Sequence, residues 1–260
     1  MPVLACVLLV LLASGVTPAD PVAPVPPSPV PAQSRQLLAV TTDTWDATSG
    51  RLQRFERAGR TWTAVGDAVP VRVGRSGLGW GIGLHPATVA RPGEPGKREG
   101  DGRAPAGVFR LSAAFGYAPS EPTGLPYIPT DADVECVDDA ASPAYNSVRR
   151  RTPASAWSSH EEMRLDAHIY RIGVVVAHNG TGVDAGLVPG LRGPRTQRGA
   201  GSCIFLHVWR TPETPTSGCT SMPDPALQDV LAWLDASATP VLVQLPRDVY
   251  GRLAQPWGLP

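Results

Sequence analysis

The chain has no surplus of charge of either sign. Lys+Arg and Asp+Glu each number 23 in 260 residues, so the formal net charge is zero. Without an overall basic field it has no long-range attraction for nucleic acid or for an anionic membrane surface. It also lacks an apolar run of membrane-spanning length. Residues 3–13 (VLACVLLVLLA) are apolar, but a spanning helix needs about 20 such residues. No internal repeat stands at a fixed spacing. The glycine-rich stretch at 93–107 (GEPGKREGDGRAPAG) lacks the Gly-Lys-Ser/Thr ending of a phosphate-binding loop, so nothing marks a nucleotide site. Cysteine is scarce, with four in the chain, and each can be considered on its own.

Glycine and proline, by contrast, are plentiful, at 27 and 29. They favour many turns and short strands over long helices. With 42% hydrophobic residues the chain can bury one substantial core. Its apolar run suits the h-region of a secretory signal and is followed by the small residues Ala13, Ser14 and Gly15. No basic residue precedes that run, the first being Arg35. Residues 18–33 (PADPVAPVPPSPVPAQ) are too rich in proline to build a packed element and favour extended polyproline conformations. The organisation expected is a signal peptide or apolar N-terminal segment at 1–17, a Pro-rich linker at 18–34, and one folded domain at 35–260. An exported protein is expected, and a monomer is the default.

Strand candidates run along the domain at 35–42, 52–57, 69–73, 108–112, 169–177, 203–209 and 240–245. One helix is expected at 224–235, with Asp224 as its N-cap, Pro225 at the first helical position, and Leu227, Val230, Leu231 and Leu234 on one face. A second short helix is expected near 159–163. The fold class is mainly β, with few short helices.

Chemistry concentrates between Cys203 and Met222. A hydrophobic strand ends in His207-Val208-Trp209, a Pro/Thr-rich return follows, and Cys219 sits on a turn after Gly218. A base and a thiol nucleophile need such an arrangement, with the two groups on different elements joined by a short return. Removing Cys6 with the signal leaves Cys136, Cys203 and Cys219, one pair and one leftover in an oxidising compartment. Cys219 is the candidate for the leftover. A Cys136–Cys203 disulfide and two buried unpaired thiols are both open. Zinc is disfavoured, because Cys203 and His207 share a strand face about 13 Å apart, whereas zinc ligands lie at about 2 Å from the metal. A free thiol, with a pKa of about 8.5, is mostly protonated at pH 7, so His207 would take its proton or hold the thiolate. Gly218 allows close approach, and the amides near Gly218 and Cys219 could face an oxyanion. His178 and Asn179 end an apolar run and either line the same cleft or form a surface turn. Trp157, Ser158 and residues 161–163 are candidates for a neighbouring wall. Residues 93–107 form either a solvated loop or the rim of the cleft.

These residues resemble the L,D-transpeptidase catalytic domain, the YkuD family. The family motif is a histidine, a variable stretch, then Ser/Thr-x-Gly-Cys. Here it reads His207, then Thr216-Ser217-Gly218-Cys219-Thr220-Ser221-Met222. The Gly-Asp-Gly-Arg-x-Pro-x-Gly-x-Phe run at 100–109 is similar to a second family block. The resemblance implies a β-sandwich of mixed sheets over roughly residues 35–245. It also implies catalysis by Cys219 and His207 with Gly218, no cofactor and no metal. Thr216, Ser217, Ser221, Val208, His178 and Asn179 are the candidates for substrate contact. Val208 stands where the family often has glycine or serine; the family uses that position's backbone carbonyl to orient the imidazole, a role open to any side chain. Ser221 stands where arginine is usual, and Arg210 is a nearby cation.

The resemblance further implies a peptidoglycan stem peptide as substrate and a thioester on Cys219. An amine of a second stem would resolve it as a cross-link, or water would do so as an L,D-carboxypeptidase. Sensitivity to carbapenems is implied as well. A domain that binds cell-wall peptide without turning it over is the reading from a different class.

Overall fold

The computed structural model describes Met1 and residues 27–260. The expected signal, Cys6 and the first part of the Pro-rich stretch lie outside the described residues. In chain order the strands are β1 (Gln36–Thr42), β2 (Ser49–Ala58), β3 (Thr61–Arg72), β4 (Leu78–Trp80), β5 (Ala104–Gly116), β6 (Tyr127–Pro129) and β7 (Val134–Val137). They continue with β8 (Ser147–Arg150), β9 (Glu161–Glu162), β10 (Ile172–Val176), β11 (Gly182–Val183), β12 (Phe205–Val208), β13 (Thr220–Met222) and β14 (Val241–Pro246). The helices are α1 (Asp224–Trp233) and α2 (Arg247–Trp257). The fold is mainly β with mixed sheets and two α-helices among the described residues, the fold class expected from the sequence.

The larger sheet has the order β10-β12-β13-β3-β2-β1-β14-β5-β4, and β10 also pairs with β5, so the sheet curls back on itself. The length of β5 makes this possible: 13 residues, nearly all buried, serve β14 at one end and β10 at the other. The smaller sheet, β11-β8-β7-β9, is separate. Two apolar cores follow from the alternation of side chains along the strands. Val174 and Val176 of β10 and Leu206 of β12 face the first core. Their neighbours Val175 and Phe205 face the second.

The second core is organised by aromatics. Phe115, Tyr170 and Phe205 meet edge to face, with ring centroids 5.2–6.0 Å apart, the separation that aromatic quadrupoles favour. Gly173 leaves room for this cluster, since a Cβ there would lie 2.3 Å from the Phe115 ring. Phe205 is fully buried, and its truncation to alanine would cost about 3–5 kcal/mol.

Each strand expected from the pattern is present, with shifted ends. Much of β3 was not expected, because its side chains are largely exposed and carry little apolar signal. Two helix readings are corrected. Helix α1 begins at Asp224 itself, after Pro223, and Asp224 makes no capping bond; its carboxylate is drawn instead into a bidentate pair with Arg171. Residues 159–163 form no helix: Glu161 and Glu162 pair with Cys136 and Glu135 of β7 as strand β9. Helix α2 was not foreseen, although Val249, Leu253 and Trp257 recur at helical spacing and are its buried face. The end of the Pro-rich stretch packs on the domain. Val30 and Ser34 are buried, and Ser28 Oγ donates to the Trp257 carbonyl.

Candidate active site

His207 and Cys219 come from neighbouring parallel strands. Strand β12 pairs with β13 so that His207 is opposite Ser221 and Leu206 opposite Thr220. Cys219 immediately precedes β13. Because alternate residues share a face, Cys219, Ser221, Phe205 and His207 all point to one side. That register places the Cα atoms of His207 and Cys219 about 8 Å apart, one strand across and two residues along. Both side chains line a cleft of about 610 Å³, together with Thr216, Ser217, Gly218 and Ser221.

The return between the two strands is pinned at several points. Thr216 N–H donates to the Val73 carbonyl (2.9 Å), and Arg75 N–H donates to the Thr216 carbonyl (2.8 Å). The Thr216 hydroxyl donates to the Cys219 carbonyl (2.7 Å) and accepts from Gly218 N–H (3.1 Å). Thr216 therefore fixes the turn. Gly218 fits because the turn lies close to the Arg103 carbonyl, which would be 3.2 Å from an added Cβ.

The imidazole of His207 is oriented by the backbone. Its Nδ1 lies 2.8 Å from the Val208 carbonyl. A carbonyl only accepts, so Nδ1 carries the hydrogen and Nε2 is a free base. The Tyr170 ring stands edge-on to the imidazole at 5.2 Å and 88°. Burial pushes the His207 pKa down to about 4, opposed in part by the Val208 contact.

Cys219 is held as a thiol. Its Sγ accepts from Phe205 N–H (3.3 Å) and donates to the Cys203 carbonyl (3.4 Å). Burial pushes the thiol well above its ordinary value, and the Glu161 carboxylate adds to this; Phe205 N–H, Lys97 and the Tyr170 hydroxyl pull the other way. The resting pair is neutral on both sides.

Cys136 and Cys203 form a disulfide. It ties β7 of the smaller sheet to the residues that lead into β12, and it leaves Cys219 as the free cysteine among the described residues. Cys203 adopts a positive φ of 55° and is unavailable as a metal ligand.

The 93–107 stretch forms part of the rim, since Lys97, Glu99 and Gly100 line the cleft. Asp101 pairs with Lys97 (2.8 Å), and Arg103 reaches Asp46 (2.8 Å) and the Leu78 carbonyl (2.8 Å), holding the loop as it enters β5. The far wall carries Glu161, Glu162, Leu165, Ile169 and Tyr170. Of the candidates for that wall, Met163 is buried in the second core instead, while Trp157 lies by Arg149 and Ser158 is bonded to Asp139.

His178 and Asn179 do not line the cleft. They stand behind it, fully buried, with their polar atoms engaged. His178 Nδ1 accepts from Ile82 N–H (3.2 Å), and Nε2 meets the Ala200 carbonyl (3.0 Å). Asn179 bonds the backbone of Gln197 and Gly201. The pair secures the segment that leads to Cys203. Val208 contributes only its carbonyl. Arg75 and Tyr170, which sequence reasoning passed over, both line the cleft with Arg210. The alternation around 169–177 was a strand signal alone, and nothing in it marked Tyr170 as a cleft residue.

A family model described as the L,D-transpeptidase catalytic domain, YkuD, matches residues 44–243. The chain belongs to that family. No curated protein and no solved structure matches it. The family's enzymes are acyltransferases of peptidoglycan stem peptides. His207 on β12 and Cys219 just before β13 both lie within the matched region. Its cleft offers Arg75 and Arg210 as cations while Ser221 fills the position where arginine is usual. No helix among the described residues is long and apolar enough to cross a membrane.

Proposed function

We propose that the chain is a cysteine-dependent L,D-transpeptidase that acts on peptidoglycan stem peptides in the cell envelope. The observation that carries this reading is the pairing of a free imidazole Nε2 with a thiol on the adjacent strand, both facing one cleft. In this reading Cys219 attacks the carbonyl of a diaminoacid–D-alanine bond. His207 Nε2 takes the thiol proton and then gives it to the departing D-alanine amine, leaving a thioester. The Gly218 N–H is occupied by Thr216, so the Cys219 N–H is the amide left for the oxyanion. Arg75 and Arg210 supply cationic contacts for stem carboxylates, and Ser217 and Ser221 supply hydroxyls on the cleft floor.

An amine of a second stem resolves the thioester as a cross-link. The disulfide supports an exported protein, since such bonds persist in oxidising compartments. Residues 1–17 then serve as the export segment, the earlier part of 18–34 as a spacer, and 35–260 as the catalytic domain, with Ser28, Val30 and Ser34 at the end of the Pro-rich stretch packed on it. The test incubates purified protein with muropeptides. D-Alanine release, cross-linked dimers and a carbapenem adduct on Cys219 are expected, all lost in Cys219→Ala. Turnover that survives Cys219→Ala would refute the mechanism.

A further inference from the structure

A thioester on Cys219 can be resolved by an amine only if that amine is neutral. An aliphatic amine with a pKa near 10.4 is almost entirely ammonium at neutral pH, and an ammonium has no lone pair with which to attack. Water needs no such deprotonation. Whichever group unloads the ammonium therefore decides between transfer and hydrolysis. His207 is ill suited, because burial leaves its imidazole a weak base with a pKa of about 4.

Resting on the acyltransferase reading, we propose that Glu161 binds the acceptor's ammonium group and takes its proton, with Tyr170 as the positioning residue that holds the carboxylate against the cleft. Glu161 lines the same cleft as Cys219 and His207. Its Oε2 accepts from the Tyr170 hydroxyl at 2.8 Å, and Tyr170 is the ring that abuts His207. Oε1 takes no hydrogen bond among the described residues and is free for an ammonium. The backbone of Glu161 is fixed by pairing to Cys136, itself disulfide-bonded to Cys203 beside the thiol. Glu162 adds a second negative charge to this wall, while the cations Lys97, Arg75 and Arg210 lie on other segments of the lining. Asp138 and Glu99 also face Glu161. Burial first, with those two carboxylates, pushes its pKa up to about 7, against the Tyr170 hydroxyl bond. A base with a pKa near the working pH is the effective kind.

The step balances. One ammonium proton passes to Glu161, and the amine lone pair forms a C–N bond to the thioester carbon. The attacking nitrogen loses its second proton to His207, the C–S bond breaks, and His207 returns that proton to sulfur. Glu161 then releases its proton to solvent.

The experiment uses one donor stem tetrapeptide and two acceptors at pH 7.5: a stem peptide bearing a side-chain ammonium, and hydroxylamine, which is neutral. Mass spectrometry gives the ratio of transferred to hydrolysed product. Glu161→Gln should lower the ratio for the stem acceptor tenfold or more and leave that for hydroxylamine within about twofold. The defect should shrink at pH 5.5, where wild-type Glu161 is protonated too. Glu161→Asp, which keeps the charge, should retain a higher ratio than Glu161→Gln and gives a second readout if the glutamine variant folds poorly. Equal losses with both acceptors, or no loss with either, would overturn the proposal. Absence of any acyl-enzyme in the wild type would overturn the acyltransferase reading and this one with it. An acyl-enzyme whose partition ignores Glu161 would overturn this one alone.

Discussion

His207 donates from Nδ1 to the carbonyl of its own chain neighbour, Val208, across 2.8 Å. The tautomer of this imidazole is thereby set by backbone, with no acidic side chain bonded to the ring among the described residues. An orienting carbonyl leaves the imidazole less basic than a carboxylate would, and burial lowers it further, to about 4. In the proposed mechanism the neutral imidazole is the form that takes the thiol proton. As pH falls, it stays neutral until about 4, well below the ordinary histidine value of about 6.5. Acylation of Cys219 should therefore persist through pH 5 and fail only near pH 4. His207→Ala should slow it by about 10²–10⁴-fold. Stopped-flow acylation by a carbapenem across pH 3.5–8 checks both. An acid limb centred near 6.5 would show that the ring is not held in this environment.

The thiol gives the complementary prediction. Burial and Glu161 raise the Cys219 pKa, so thiolate is scarce at neutral pH. A small alkylating reagent that lacks a carbonyl to activate should react slowly at pH 7 and faster with each unit of rising pH. A carbapenem, which exploits proton transfer to His207 during attack, should acylate readily at pH 7. Fast alkylation at pH 6 would indicate a preformed thiolate–imidazolium pair instead.

How much of this was legible in the sequence depended on whether a feature is local. The β12–turn–β13 unit was readable, because His207, Gly218 and Cys219 lie in one short stretch whose alternation and turn residues are explicit. The free thiol was readable from counting cysteines, although the count alone left the Cys136–Cys203 bond open. The far wall was readable only in part. Residues 161–163 stand among its sequence candidates, with no spacing to rank them, and Tyr170 does not. Glu161 and Tyr170 reach the cleft through the pairing of β9 with β7 and of β10 with β12, and such long-range pairings leave no local periodicity. His178 misled for the opposite reason. A polar pair at the end of an apolar run looks like a site, yet here those groups satisfy buried backbone atoms. Asp224 looked like a cap, but Arg171, 53 residues away, takes its carboxylate.

His178 is expected to matter for stability. Its ring satisfies Ile82 N–H and the Ala200 carbonyl in a buried setting. Removing it leaves two buried polar groups unpaired, at about 1–3 kcal/mol each. His178→Ala should lower the urea midpoint without changing the slope of the transition. His178→Gln should recover part of the loss, since it can restore one of the two bonds. Burial pushes the His178 pKa down to about 3. The folded state thus disfavours the proton below the unfolded value near 6.5, and this site erodes stability as pH falls from there toward 3. A His178→Ala variant with unchanged stability would show the ring to be dispensable.

The Cys136–Cys203 disulfide should have two separable effects. It closes a loop across a sequence separation of 67. The chain-entropy model then gives a stabilisation of about 4 kcal/mol, carried by restriction of the unfolded chain. The same bond also fixes Cys203, whose carbonyl receives the Cys219 thiol at 3.4 Å and whose backbone sits at a positive φ of 55°. Breaking the bond should therefore loosen the thiol's own support, beyond any global loss. A Cys136→Ala/Cys203→Ala double variant avoids leaving a second reactive thiol beside Cys219. It should unfold at a lower urea concentration. At temperatures where it is still fully folded, it should acylate more slowly than the wild type. If stability falls and acylation is unchanged, the disulfide is a global staple only. If neither changes, the link between β7 and the approach to β12 carries no strength of its own.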